Sequence, residues 1–105
     1  MGEYQKGIIL KALDKGETII GSVRAFCNNG TVYIGKLMVH PSKQGQGIGT
    51  QLLLEMEKLY PNQRYELFTS TKSEKNIALY QKIGYKIFNE EQVTEELRFV
   101  YMEKV

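Results

Sequence analysis

The chain is 105 residues long, 42% hydrophobic and 25% charged, with 14 Lys+Arg against 12 Asp+Glu for a formal charge of +2. This is ordinary globular composition on a single-domain length, so one domain over residues 1–105 is expected, and disordered, collagen-like or disulfide-stapled chains are disfavoured. The small charge excess, without a long Lys/Arg run, gives no argument for nucleic acid, and the lack of a long apolar stretch gives none for a membrane.

Strands joined by tight turns are predicted first. Ile8 to Leu13 is short and apolar, and Asp14-Lys15-Gly16-Glu17 supplies turn chemistry. Thr18 to Phe26 alternates, with Ile19, Val23 and Ala25 opposed to Ile20, Ser22 and Phe26. Asn28-Asn29-Gly30 is a hairpin signal because Asn and Gly tolerate positive φ. Thr31 to Val39 is apolar on both faces apart from Lys36, the pattern of a central strand covered on both sides.

His40-Pro41 ends that strand, and a polar loop carries Gly45 and Gly47. From Ile48 the period becomes helical, with Ile48, Leu52, Leu53, Met56 and Leu59 on one face, until Pro61-Asn62. Arg64 to Ser70 is a strand with Tyr65, Leu67 and Thr69 opposite Glu66, Phe68 and Ser70. Ser73 is placed as an N-cap, with Glu74 in the first turn of a helix carrying Ile77, Ala78, Tyr80 and Ile83 and closed by Gly84. Two last strands, Tyr85 to Asn89 and Leu97 to Met102, flank a charged loop. The fold class is α/β (α+β), a mixed sheet with helices packed on it.

Cys27 is the only cysteine, so no internal disulfide forms, which fits a reducing, cytoplasmic setting. No signal-peptide core is present, and Met1-Gly2 is followed by Lys6 where a myristoylation motif needs Ser or Thr. One His and one Cys give no metal site. A nucleophile–base pair of Cys27 with His40 lacks any orienting third group. The tyrosines are scattered rather than interleaved with basic residues, which argues against a base-stacking platform.

The most informative stretch is Val39-His40-Pro41-Ser42-Lys43-Gln44-Gly45-Gln46-Gly47-Ile48-Gly49-Thr50. A strand runs into a glycine-rich loop that opens an amphipathic helix, so backbone N–H groups can gather round an anion where the helix dipole helps. A phosphate or pyrophosphate is the natural guest; a tight turn into a helix is the plainer alternative. The phosphate loop of nucleotide triphosphatases needs a Lys after the glycines, and a dinucleotide fingerprint needs Gly where Thr50 stands.

Gln44-x-x-Gly47-x-Gly49, preceded by Val39-His40-Pro41, resembles the acyl-CoA loop of the GNAT N-acetyltransferase family. Asn76-Ile77-Ala78-Leu79-Tyr80-Gln81-Lys82-Ile83-Gly84-Tyr85 resembles a second segment of that family, with Tyr85 where Phe is usual. The resemblance implies an acyl-CoA N-acyltransferase fold with a mostly antiparallel mixed sheet. It also implies an acetyl group moving from acetyl-CoA to a primary amine by direct attack, with no metal.

By the same resemblance, the backbone of Leu37, Met38 and Val39 pairs with the pantetheine arm, and the Val39 N–H serves as oxyanion donor. The loop Gln44, Gly45, Gln46, Gly47, Ile48, Gly49 and Thr50 holds the pyrophosphate, and Asn76 touches the arm. Tyr80 stands where the family keeps the general acid for the departing thiolate; a helix aromatic packed on the sheet is its other reading. Glu66, the only acid inside a core strand, is a weak candidate for the base. His40, before Pro41, reads as a surface residue.

The resemblance also implies a strand and one or two helices ahead of the hairpin, yet few residues precede Ile8, so those N-terminal helices are expected to be missing. A homodimer, a partner-completed fragment or a non-catalytic acyl-CoA-binding module would each fit that shortfall. A small nucleotide-binding regulator is the unrelated alternative. Small amines, antibiotics, peptide N-termini and lysine side chains all stay open as acceptors. Asn89-Glu90-Glu91 with Glu95-Glu96 reads as a solvated acidic loop that can also draw a cation.

Overall fold

The computed structural model describes residues 7–105, so the Met1-Gly2 and Lys6 reading lies outside the described residues. The strands β1 (Ile8–Leu13), β2 (Ile19–Asn28), β3 (Thr31–Val39), β4 (Arg64–Ser70), β5 (Lys86–Gln92) and β6 (Arg98–Lys104) form one sheet in the order β1-β2-β3-β4-β6-β5. Helix α1 (Ile48–Leu59) joins β3 to β4, and α2 (Glu74–Lys82) joins β4 to β5. Only β3 and β4 run parallel, because the α1 crossover separates them; the other pairs are antiparallel.

Local chemistry explains the turns. Asn29 (φ 53°) and Gly30 (φ 81°) sit in the left-handed region that a two-residue hairpin demands, and Asp14 Oδ1 accepts from the N–H groups of Gly16 and Thr18. The core lies between the helices and one sheet face. Val23, Val32, Leu53, Met56 and Met102 are fully buried there, each contributing about 1.5–3 kcal/mol of burial.

The structure alters several expectations. β3 is central, but only its helix-side residues Val32 and Ile34 are buried; Tyr33 and Gly35 face an open cavity, so among the described residues one face is covered, not two. Leu59 and Ile19 are half-exposed because each stands at an element's end, beyond the reach of the opposing layer. Ser73 occupies the N-cap of α2, yet its side chain makes no capping bond; its carbonyl accepts from the Ile77 N–H instead. Glu90 and Glu91 belong to β5 and not to a loop, since Arg98 pairs with Glu90 at 2.9 Å and the Tyr101 hydroxyl donates to Glu91 at 2.6 Å.

A polar knot closes the end of α1. Tyr85 donates to Glu57 at 3.0 Å, Lys104 reaches the same carboxylate at 2.8 Å, and the Tyr65 hydroxyl donates to the Tyr60 carbonyl at 2.6 Å. Burial and the adjacent Glu57 charge hold the Tyr85 phenol far above its ordinary pKa.

Candidate active site

β3 and β4 pair only from Thr31–Arg64 to Tyr33–Glu66; beyond that point they run on to Val39 and Ser70 without pairing with each other, β3 held by β2 and β4 by β6. The sheet therefore splits, with Glu66 at the crotch. A bulge accompanies the split. The register with β2 slips between Ser22 and Arg24, and Lys36 sits at φ 52°, a left-handed conformation that costs a non-glycine residue about 1–2 kcal/mol.

The direction of the backbone follows from the ladder. The His40 N–H donates to the Ile20 carbonyl at 2.8 Å, which makes Gly21–Val39 a narrow, non-hydrogen-bonded pair. The Val39 N–H and C=O consequently turn away from β2, towards the gap that β4 leaves. The Val39 carbonyl takes the Gln44 side-chain amide at 3.2 Å, folding the loop back on the strand end. The His40 imidazole accepts from the Ser42 N–H at 3.1 Å and caps a 3-10 turn over Pro41–Lys43, so its role is local.

Gly45 (φ 81°) and Gly47 (φ 84°) supply the two left-handed turns of the loop, and nothing lies near where a Cβ would stand on either. Gly49 has a different duty: a Cβ there would come within 3.3 Å of Leu79, with Leu37 and Val39 at 3.7 Å, so its absence lets α1 start tight against α2 and β3. Gly47 caps α1 without a side-chain hydrogen bond, which leaves first-turn N–H groups pointing at the cleft mouth.

These elements enclose a cleft of about 710 Å³. Leu37, Met38, Val39, Gln44, Gly45, Gly47, Ile48, Gly49, Thr50 and Asn76 line it. Gln46 is exposed outside that lining. Tyr80 is also absent from it. The residue is 5% exposed, packed in the core beside the Tyr85 ring at 6.0 Å, and burial raises its phenol above the ordinary value.

Motif reading missed three lysines, Lys43, Lys75 and Lys82, that also line the cleft and pair with no carboxylate among the described residues. Their signal was present: Lys75, Leu79 and Lys82 recur at helical spacing on the face that carries Asn76. Together they make the cleft cationic.

Glu66 lies on the opposite side of the split, in a second cavity with Tyr33, Phe68 and Tyr101, where Arg64 pairs with it at 2.7 Å. Cys27 and His40 do not meet: Cys27 pairs with Val32 near the hairpin, whereas the His40 N–H bonds Ile20 at the far end of β2. Among the described residues no cluster of three or more metal-ligating side chains occurs, and no helix is long and apolar enough to cross a membrane.

The acetyltransferase (GNAT) domain matches residues 3–105. No curated protein matches the chain. An acetyltransferase from Bacillus cereus superposes with a TM-score of 0.82 at 22% identity, over 95% of this chain and 73% of its own. An IAA acetyltransferase from the same species gives 0.79 at 26% identity, over 93% and 77%. An aminoglycoside 6'-N-acetyltransferase complexed with coenzyme A gives 0.80 at 20% identity, over 93% and 72%.

Proposed function

The chain belongs to the acetyltransferase (GNAT) family, and we propose that it transfers an acetyl group from acetyl-CoA to a primary amine. The observation that carries this reading is the outward-turned Val39 N–H at the head of a cationic, glycine-lined cleft. Those residues fit the proposed cosubstrate: first-turn N–H groups and the three lysines suit its phosphates, and the unpaired edge of β3 suits its amide-bearing arm.

When bound, acetyl-CoA supplies an activated acetyl carbon on sulfur. The Val39 N–H donates to the carbonyl oxygen as negative charge gathers there during amine attack. The amine nitrogen loses its proton to water as the N–C bond forms; Glu66, opposite Tyr33 and six residues from Val39 along β3, can take that proton only through a chain of waters. Tyr80, packed behind the cleft lining, donates a hydrogen bond towards the sulfur as the C–S bond breaks, and the departing thiolate takes its proton from water. A phenol is a weak donor to a thiolate, and burial raises the Tyr80 pKa further, so its hydrogen bond matters more than full transfer. Leu37, Met38 and Asn76 position the arm, and the cleft holds both reactants together.

Calorimetric titration of the purified chain with acetyl-CoA, with ATP and NAD as controls, tests the assignment. Selective acetyl-CoA binding is expected, weakened about tenfold or more in the double variant Lys75→Glu, Lys82→Glu, with a smaller loss at high salt. Preference for ATP or NAD would instead identify a nucleotide-binding regulator. Acetyl-CoA binding without turnover on any amine would identify a binding module. For Tyr80→Phe, the expected result is a kcat reduced by about tenfold, the weight of one hydrogen bond to a charged group; unchanged turnover at every pH would remove the tyrosine from the chemistry.

A further inference from the structure

All four phenylalanines of the chain, Phe26, Phe68, Phe88 and Phe99, stand on the sheet face turned away from the helices, and none enters the buried core. That core takes its aromatics from Tyr65, Tyr80 and Tyr85 instead. The distribution inverts the usual one, since phenylalanine is among the residues most often buried. Phe26 stacks on Tyr33 at 5.3 Å, and Phe68 lies against Phe99 at 5.0 Å and Tyr101 at 5.6 Å. Ile9, Phe26, Phe68 and Phe88 are each between 41% and 54% exposed. With large side chains covering roughly 150–250 Å² each, the face offers on the order of 500 Å² of apolar surface, the upper range for a single patch on a lone chain.

The face is complementary to itself in shape. A cavity of about 680 Å³ opens beside the β3–β4 split, and Gly35 lies in its floor, where an added Cβ would meet nothing within 4 Å. Tyr33 is level with Glu66 across the two parallel strands, so two residues further on Gly35 is level with Phe68. The order β1-β2-β3-β4-β6-β5 puts the split at the middle of the sheet, three strands to each side. A two-fold axis parallel to the strands at that middle sets β3 of one copy over β4 of the other. Phe68 of each copy then stands over the Gly35 hollow of the other.

The charges select that axis. Arg24 and Lys36, on the β2–β3 half, pair with no carboxylate among the described residues. On the β4–β6–β5 half, Glu66 and Glu103 share the single Arg64, and Glu91 accepts from the Tyr101 hydroxyl at 2.6 Å. An axis along the strands also sets β2 over β6. Arg24, paired in register with Gly35, then comes level with Tyr101 of the second copy and with the Glu91 it holds. An axis across the strands would lay each strand on its own counterpart and set cations against cations, which is unfavourable.

We propose that this face pairs two copies of the chain in a two-fold, sheet-on-sheet dimer, with Phe68 as the knob and Gly35 as its socket. Sheets packed face to face lie about 10 Å apart, a gap that interdigitating side chains fill. With its charged rim the face approaches the roughly 800 Å² per partner of a standard interface. The pairing goes beyond the acetyl-transfer reading and does not rest on it, because no residue lining this cavity lines the cleft at Val39.

Sedimentation equilibrium of the full chain at about 50 μM is the test, and a mass twice the 12.1 kDa of one chain is expected. Phe68→Glu should weaken the pairing about 100-fold or more, since it places a charge in each apolar contact. Gly35→Val fills the socket while the single chain has room for it, and should weaken pairing about tenfold or more. Arg24→Glu should cost about tenfold, and adding Glu91→Arg should restore the dimer. Each variant should keep the circular dichroism spectrum of the unaltered chain.

An unaltered chain that sediments as a monomer would overturn the inference, and a monomer that binds the apolar dye ANS would leave the face to a segment of some other chain. A dimer that either Phe68→Glu or Gly35→Val leaves intact would overturn it as well, placing the contact elsewhere. Failure of Glu91→Arg to rescue Arg24→Glu would overturn the two-fold arrangement. Acetyl-CoA binding, measured on the same samples, bears on the transferase reading alone.

Discussion

Val39→Pro is expected to lower the acetyl-transfer rate about 10²–10³-fold, the usual cost of removing one oxyanion donor, with little change in acetyl-CoA affinity. The substitution is informative because of where the strand places this amide. The Gly21–Val39 pair is the narrow kind, so the N–H bonds nothing on β2, and β4 has already diverged. Proline removes that donor without breaking a ladder bond, and its ring suits a strand margin. Val39→Ala is the control. It keeps the N–H and trims only a side chain whose Cγ2 would lie 3.7 Å from a Cβ at Gly49, so turnover should stay within about threefold. Single-turnover rates separate the two variants, and equal rates for both would remove the amide from the mechanism.

Glu57→Ala is expected to cost about 2–3 kcal/mol of stability, because it strands two partners at once. The Glu57 side chain is 12% exposed and Lys104 28%, so the lysine's loss is partly softened by water, but the Tyr85 hydroxyl is left without its acceptor in the core. In thermal unfolding this corresponds to a melting point about 10 °C lower for a domain of this size. Glu57→Gln keeps an acceptor for Tyr85 and should lose roughly half as much.

The same knot predicts alkaline behaviour. A phenol whose folded pKa lies above its unfolded value gives stability that is whole below about pH 10 and falls as pH rises beyond it. Unfolded phenols ionise there while Tyr85 resists. Tyr85→Phe should therefore flatten the decline above about pH 10 by about 1.4 kcal/mol per pH unit at most. An unchanged slope would show that Tyr85 does not govern it.

Much of the architecture was legible because periodicity and turn chemistry are local. The helix over Ile48–Leu59, the Asn29-Gly30 turn and the stop at Gly84 each follow from spacing or from positive φ. The acidic segment was misread for the converse reason. Glu90 and Glu91 look like loop residues until Arg98 and Tyr101 come alongside on β6, and that neighbour is decided by strand order. The lysines of the cleft were hidden similarly: Lys43 and the pair Lys75 and Lys82 are far apart in sequence and converge only when α1 and α2 meet over Gly49.

What the sequence determined by itself is the family and the loop. Gln44-x-x-Gly47-x-Gly49 after a strand, with the Asn76 to Gly84 segment downstream, fixes backbone conformations that only those residue types adopt readily. What only the tertiary structure decided is the polarity of the two sides of the split. The direction of the Val39 amide depends on which ladder bond His40 makes, and the sharing of the Arg64 guanidinium between Glu66 and Glu103 depends on sheet order. A sequence pattern records which residues share a face of one element, but pairing register sets which faces of different elements meet.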